Sequence, residues 1–275
     1  MKRALALVWL TPLLVAAQPA IERTPNGIAY EASGAGDPVI LIHGFSLDRH
    51  VWEPQVAALA GRYRVIRYDL RGHGDSVAPT DQPYTGYGDL RDLLDSLGIA
   101  RATLVGLSAG SELAINFAIA YPDRVTRLVL ASPGLGGYRG TSLPWMQPVI
   151  DAAIAGQAEQ AARLWVKTPL MRLMTARDAE PAVTNMVMRN AGLWTSKRTE
   201  QPLTPPAIER LGTIRCPVLV VIGGDDQPHI HDIARVIAAG VPQAKVETLA
   251  GAAHLVNLDV PKIFNEIVGR FLATR

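Results

Sequence analysis

The sequence predicts an α/β fold: a mostly parallel central sheet flanked by helices, with a helical cap inserted late in the chain. Three observations predict it. Short apolar runs of strand length recur along the chain and break off at glycine or aspartate. Between them lie stretches whose apolar residues return at helical spacing. From Pro133 to Gly212 this alternation stops, and a proline-interrupted segment of helical tendency takes its place. Strands separated by amphipathic helices call for a largely parallel sheet covered on both faces.

The elements follow in order. Residues 1–17 read as a secretory signal peptide, with Lys2 and Arg3 ahead of an apolar stretch from Ala4 to Ala17. That stretch is short for a membrane span, so the expectation is export to the periplasm or beyond, with no stable membrane span. A cytoplasmic site follows only if the segment is not a signal. Residues 18–133 and 213–275 then form the core, and 134–212 the cap. The predicted strands are PVILIHG (Pro38–Gly44), RYRVIRYD (Arg62–Asp69), ATLVGLS (Ala102–Ser108), RVTRLVLASPG (Arg124–Gly134), CPVLVVIGGDD (Cys216–Asp226) and AKVETLAGAAH (Ala244–His254). Among the helices, Trp52, Val56 and Leu59 make one apolar face, and Leu90, Leu93, Leu94 and Leu97 another. Ile263, Ile267 and Phe271, with Phe264, close the chain.

The cap segment holds five of the six methionines and three of the five tryptophans (Trp145, Trp165, Trp194). That much soft apolar surface must pack somewhere, and a cap over the sheet edge would bury it and build an apolar pocket.

Composition removes several function classes. The chain has 27 basic and 25 acidic residues; loss of Lys2 and Arg3 with a signal would leave 25 against 25. No basic stripe or zinc-like spacing points to nucleic acid. The single Cys216 has no intramolecular partner and heads an apolar run, as a small core residue does. His229, His231 and Asp232 in QPHIHD invite a metal reading, but histidines at i and i+2 share a helix face poorly and a third ligand is unspecified. A polar loop is the expectation there, with no metal. PGLGGYRG lacks the lysine of a phosphate loop and the spacing of a dinucleotide fingerprint, so no cofactor is implied. The oligomeric state is left open.

The chemistry gathers around G106-L107-S108-A109-G110. Glycines on either side of a serine, after a strand and before a helix, suit a strained turn that lifts the hydroxyl above the sheet. A serine hydroxyl needs a base, and the base an orienting acid. Of six histidines only His254 follows the last predicted strand, where a loop can return to the sheet's C-terminal edge. The acid should end another strand, where Asp225 and Asp226 stand together; Asp226 is the choice, with Asp225 facing solvent or bonding within its turn. The order Ser108, Asp226, His254 is that of one class of serine triad. Gly44 in IHGFS permits a tight turn in which the Phe45 N–H joins the Ala109 N–H as an oxyanion hole. His43 is expected to hold this loop by hydrogen bonding, and Arg71 and His73 of RGHG to serve as internal hydrogen-bonding groups.

These residues resemble the α/β-hydrolase superfamily, in its capped esterase, lactonase and C–C hydrolase branch. The likeness runs from GDPVILIHGFSLDRHVWEPQ through LVGLSAGSELAINFA to GAAHLVNLDVPKIFNEIVGRFL, and YRVIRYDLRGHGDS resembles the 3-oxoadipate enol-lactonases. The resemblance implies a nucleophile at Ser108, acid at Asp226, base at His254 and oxyanion loop at Phe45. Where many relatives carry a second glycine after the nucleophile, this chain has Ser111.

The expected activity is hydrolysis of a small-molecule ester or lactone, small to medium and apolar, through an acyl-enzyme. A signal peptide fits a cytoplasmic catabolic lactonase poorly and leans the reading toward a broader esterase. Lactonase, C–C bond hydrolase and cofactor-free perhydrolase chemistry are the enzymatic alternatives; a noncatalytic ligand-binding protein of the same fold is the alternative of another class.

Overall fold

A computed structural model describes residues 20–140, 143–197 and 199–274, so the signal-peptide reading of 1–17 lies outside the described residues. Eight strands form one sheet: β1 (Glu22–Arg23), β2 (Ala29–Ser33), β3 (Pro38–Ile42), β4 (Arg64–Tyr68), β5 (Ala102–Leu107), β6 (Val125–Ala131), β7 (Val218–Gly223) and β8 (Ala244–Leu249). Their spatial order is β1-β2-β4-β3-β5-β6-β7-β8. Every pair from β4 to β8 is parallel, while β1 with β2 and β2 with β4 are antiparallel.

All six predicted strands form, each trimmed at one or both ends where the chain turns out of the ladder. The antiparallel pair β1 and β2 was not anticipated. A two-residue strand and AYEAS carry little apolar patterning; β2 wins its place by pairing with β4, and β1 by pairing with β2.

The helices are α1 (Glu53–Leu59), α2 (Gly86–Ser96), α3 (Ala109–Ala120), α4 (Gln147–Ile154), α5 (Ala158–Val166), α6 (Glu180–Arg189), α7 (Pro228–Gly240), α8 (Val256–Asp259) and α9 (Pro261–Ala273). Strand side chains alternate between two cores, as period-two backbones require. Val39 and Leu41 of β3 face a cluster with Trp52, Phe264 and Ile267, whereas Ile40 and Ile42 face one with Leu90, Phe117 and Ile237. In α2, Leu90, Leu93 and Leu94 are buried as expected, and Thr85 caps the helix by accepting the Gly88 N–H at 3.0 Å.

Two helix readings change. The buried stripe of α9 is Phe264, Ile267, Val268 and Leu272, and Ile263 is exposed. QPHIHD is not a loop: Pro228 occupies the first turn of α7, where a missing N–H costs nothing, and His229, His231 and Asp232 lie on that helix.

Between β6 and β7 the chain forms α4, α5 and α6 with short turns and, among the described residues, no strand, a cap-like helical insertion. Its Val149, Ala161, Trp165, Val183 and Met186 are buried in the same cluster as Leu41, Val105 and Val129 of the sheet. No helix among the described residues is long and apolar enough to cross a membrane.

Candidate active site

Parallel register brings the C-terminal strand ends to one level: Ile42 pairs with Gly106, Leu107 with Ala131, Ala131 with Val221 and Gly223 with Leu249. Ser108 stands just past that line, at the junction of β5 and α3. Its φ of 54° is left-handed, a conformation uncommon for a residue with a Cβ. The turn closes because its neighbours lack side chains. A Cβ on Gly106 would collide with the Gly110 carbonyl, and one on Gly110 with the Ile42 carbonyl. Ser108 occupies the helix N-cap, yet its side chain makes no capping hydrogen bond, which leaves the hydroxyl to the site. The N–H of Ala109, first in the helix, has no intrahelical carbonyl to pair with. Ser111 strengthens the turn: it is fully buried, and its hydroxyl donates to Gly106 O at 2.7 Å.

Glycine also shapes the opposite wall. A Cβ on Gly223 would collide with the carbonyls of Ala252 and Ala253, so its absence lets the loop after β8 close over the end of β7. The Gly224 N–H then donates to Leu249 O at 2.8 Å and the Asp225 N–H to Ala252 O at 3.0 Å. This closure sets the His254 ring against Asp226, with Nδ1 at 3.2 and 3.1 Å from the two carboxylate oxygens. Asp226 is 7% exposed and His254 2%, while Asp225 faces solvent. Burial alone would raise the Asp226 carboxyl. The His254 ring and the Gln227 N–H, donated at 2.7 Å, outweigh it and hold the carboxyl below its ordinary value.

The third wall is the loop after β3. Gly44 packs against the Ser108 Cβ, and Phe45 and Ser46 follow, Ser46 with a φ of 63°. His43 is fully buried; its Nδ1 lies 2.8 Å from Gly44 O and its Nε2 accepts the Leu70 N–H at 3.0 Å. The pattern assigns the proton to Nδ1 and keeps the ring neutral, and burial holds its pKa below the usual histidine value. His73 does the same beside it. Its Nε2 accepts the Ser46 N–H at 3.3 Å, and burial followed by the nearby His43 brings it to about 3. Arg71 grips Asp89 through two hydrogen bonds of 2.8 and 2.5 Å. These placements match the internal hydrogen-bonding expected of His43, Arg71 and His73.

Hydrogen bonds from the insertion to this loop, through Asn190 and Trp165, were not anticipated. Asn190 donates to Ser46 O and Leu47 O at 3.1 and 3.0 Å and accepts the Gly74 N–H at 2.8 Å. Trp165 donates its indole N–H to Ser46 Oγ at 2.7 Å. Asp259 makes the corresponding tie on the His254 side, accepting N–H groups of Met174, Thr175 and Ala253 at 2.7, 3.0 and 2.9 Å. Sequence alone offers no pattern for contacts between residues some 85 to 145 positions apart.

Ser108, His254 and Phe45 line one small cavity of about 50 Å³ with Leu47, Trp165 and Met171, without a hydrogen bond between the serine hydroxyl and the ring. A larger cavity of about 410 Å³ lies on the other side of Phe45 and Ala109. It mixes Leu113, Leu193 and aromatic rings with Arg71, Asp89, Glu112 and Glu200, whereas the small cavity at Ser108 is the apolar one, walled in part by Trp165 and Met171 of the insertion.

Residues 39–267 match the model of the alpha/beta hydrolase family. The chain is 28% identical over 271 residues to the 2-hydroxy-6-oxononadienedioate/2-hydroxy-6-oxononatrienedioate hydrolase of Paraburkholderia phymatum, over 89% of this chain and 90% of that one. Its structure is similar to a thermophilic esterase from Thermogutta terrifontis, with a TM-score of 0.75 and 26% identity over 93% of this chain and 98% of that one. It is also similar to the enol-lactonase from Burkholderia xenovorans LB400, with a TM-score of 0.73 and 27% identity over 93% of this chain and all of that one (100%).

Proposed function

This chain belongs to the alpha/beta hydrolase family, and from that membership we propose that it is a serine carboxylic-ester hydrolase acting through an acyl-enzyme on Ser108. The observation that carries the reading is the buried Asp226–His254 pair, closed by Gly223 into a cavity shared with a serine on a left-handed turn.

Asp226 holds the proton of His254 on Nδ1, which leaves Nε2 as the basic nitrogen. Nε2 takes the Ser108 proton as Oγ attacks the ester carbonyl, the bond tightening once substrate orders the site. The carbonyl oxygen becomes an oxyanion received by the N–H groups of Ala109 and Phe45, each donor worth about 2.7–4 kcal/mol to the transition state. His254 then protonates the departing alcohol. Water, deprotonated by His254, attacks the acyl-enzyme and releases the acid and free Ser108.

A lactone is the second reading, supported by the likeness to the enol-lactonase; here the leaving alcohol stays tethered to the acyl group. The charged-then-apolar residues 1–17 support a periplasmic or secreted site of action.

The test is steady-state hydrolysis of p-nitrophenyl acetate, butyrate and octanoate beside a simple lactone, with labelling by a serine-directed phosphonate. Ser108→Ala should lower kcat by at least about 10³-fold and abolish the label. Ester turnover that survives Ser108→Ala in purified protein would sink the proposal.

A further inference from the structure

The acyl-transfer chemistry leaves the larger cavity unassigned. It starts at Phe45 and Ala109, beside the reacting carbonyl, and extends toward the segment after α6. Part of its lining is polar in a way that no core requires. Tyr68, at the end of β4, is 1% exposed, and its hydroxyl has no hydrogen-bond partner. Asn116 Oδ1 on α3 is likewise buried without one. Native proteins satisfy nearly all buried polar atoms, so two orphans lining one cavity point to a ligand that completes them.

Glu112 adds the charge. It lies one turn beyond Ser108 on α3, its N–H donating to Ser108 O at 3.2 Å, and so stands about 6 Å along the helix from the nucleophile. Asn116 follows one turn later on the same face. The Glu112 carboxylate sits against Gly134 and Gly136, where a Cβ would press on it, and has no ion pair or hydrogen bond among the described residues. Burial, and after it the charge of Glu200 across the same cavity, raise its pKa. The described cations of the lining are engaged elsewhere. Arg71 is held by Asp89 and stacks 4.9 Å from the Tyr84 ring, and Lys197 pairs with exposed Asp81 at 2.6 Å.

We propose that this cavity recognises a primary ammonium group carried by the ester that Ser108 attacks, with Glu112 as counter-ion and Asn116 Oδ1, one turn further along the same helix face, accepting an N–H. The inference rests on the acyl-transfer reading of Ser108 and names its substrate class: an ester with an amine several bonds from the scissile carbonyl. A primary ammonium has three donors and no acceptor, which suits an acceptor-rich lining. A neutral alkyl group would leave the same atoms buried and unpaired.

The test uses a matched pair of substrates on the full chain: p-nitrophenyl 6-aminohexanoate and p-nitrophenyl heptanoate, which differ by an ammonium in place of a methyl. The wild type should show kcat/KM at least about 10-fold higher for the amino ester, a factor of the size one paired charge supplies. Glu112→Gln should lower that ratio at least about 10-fold. Both esters are read on the same variant, so a folding defect cancels. A wild-type preference for heptanoate, or a ratio unmoved by Glu112→Gln, overturns the proposal. Binding of hexylammonium, by calorimetry on wild type and Glu112→Gln, separates the two readings. If neither ester turns over, binding that is lost in Glu112→Gln sustains the ammonium site while the acyl-transfer reading falls. No binding to the wild type overturns the site.

Discussion

Asp225 and Asp226 are neighbours in sequence with the same side chain, and the fold gives them different tasks. Asp226 turns inward onto His254, while Asp225 points to solvent and contributes only its N–H, to Ala252 O. Replacing Asp226 by Asn would keep the shape but offer His254 an amide in place of a carboxylate, which disfavours the productive tautomer. Asp226→Asn should therefore lower kcat by roughly 10³–10⁴-fold, and Asp225→Asn should change it by only a few-fold. Steady-state turnover of p-nitrophenyl butyrate by the two variants checks this, and equal losses would contradict the assignment. Other residues were legible for a local reason. The glycine-framed serine is readable because the turn itself excludes side chains, and the 104–106 strand residues announce where it begins. Cys216 is half-buried against the core as its apolar surroundings suggest, its thiol pushed up to about 11 by burial.

Among the elements, the insertion is tied to both walls of the site rather than merely laid over it. Asn190, just after α6, bridges the loop after β3 to Gly74, and Asp259 of α8 binds Met174 and Thr175 to the loop that carries His254. Asn190→Ala would strand one half-buried N–H and two buried carbonyls, a buried group costing about 1–3 kcal/mol when left unmade. We expect a loss of roughly 2–4 kcal/mol in urea unfolding, together with a fall in kcat larger than the rise in KM, because the loop bearing the Phe45 N–H loses its anchor. A change in KM alone would show that the insertion acts only on binding. The strands and α2 were legible because their patterns repeat over several residues. Those of β1, β2 and α7 were not: the first two are too short, and the start of α7 is written in histidines and proline, which read as readily as a loop.

For the whole molecule, buried ionisable groups set an acid limit. His43 and His73 are neutral in the fold, held by burial below the ordinary value of 6.5. Unfolding exposes both to protonation, so the unfolded state gains protons and stability declines as pH falls below 6.5. Protonation of the two histidines in the unfolded state therefore lowers stability between pH 6.5 and 5.5. Glu31, Asp48 and Asp226 are held below their ordinary values in spite of burial, by Arg49 with Arg67, by His50 and by His254 respectively. Their stabilisation is present above the unfolded carboxylate range and is lost at still lower pH, down to about 2 for Asp48. Glu112, raised in the fold, works the other way and becomes less costly as acid protonates it. Urea unfolding across pH 5–8 reads the balance, and a flat profile from 6.5 to 5.5 would contradict neutral burial of the two histidines.

By itself the sequence determined what local backbone chemistry dictates. Apolar period and glycine placement specify the parallel strands, the helices between them and the turn at Ser108, since each depends on residues within a few positions. The chain order of serine, aspartate and histidine is equally visible. Only the tertiary structure decided which aspartate meets His254, which residues of the insertion clamp the loop after β3, and that the larger cavity is polar at Tyr68, Glu112 and Asn116. Those outcomes depend on atoms far apart in the chain meeting at hydrogen-bond distance. The free energy of such a contact comes from burial and pairing across the whole fold, and no short window of sequence records it.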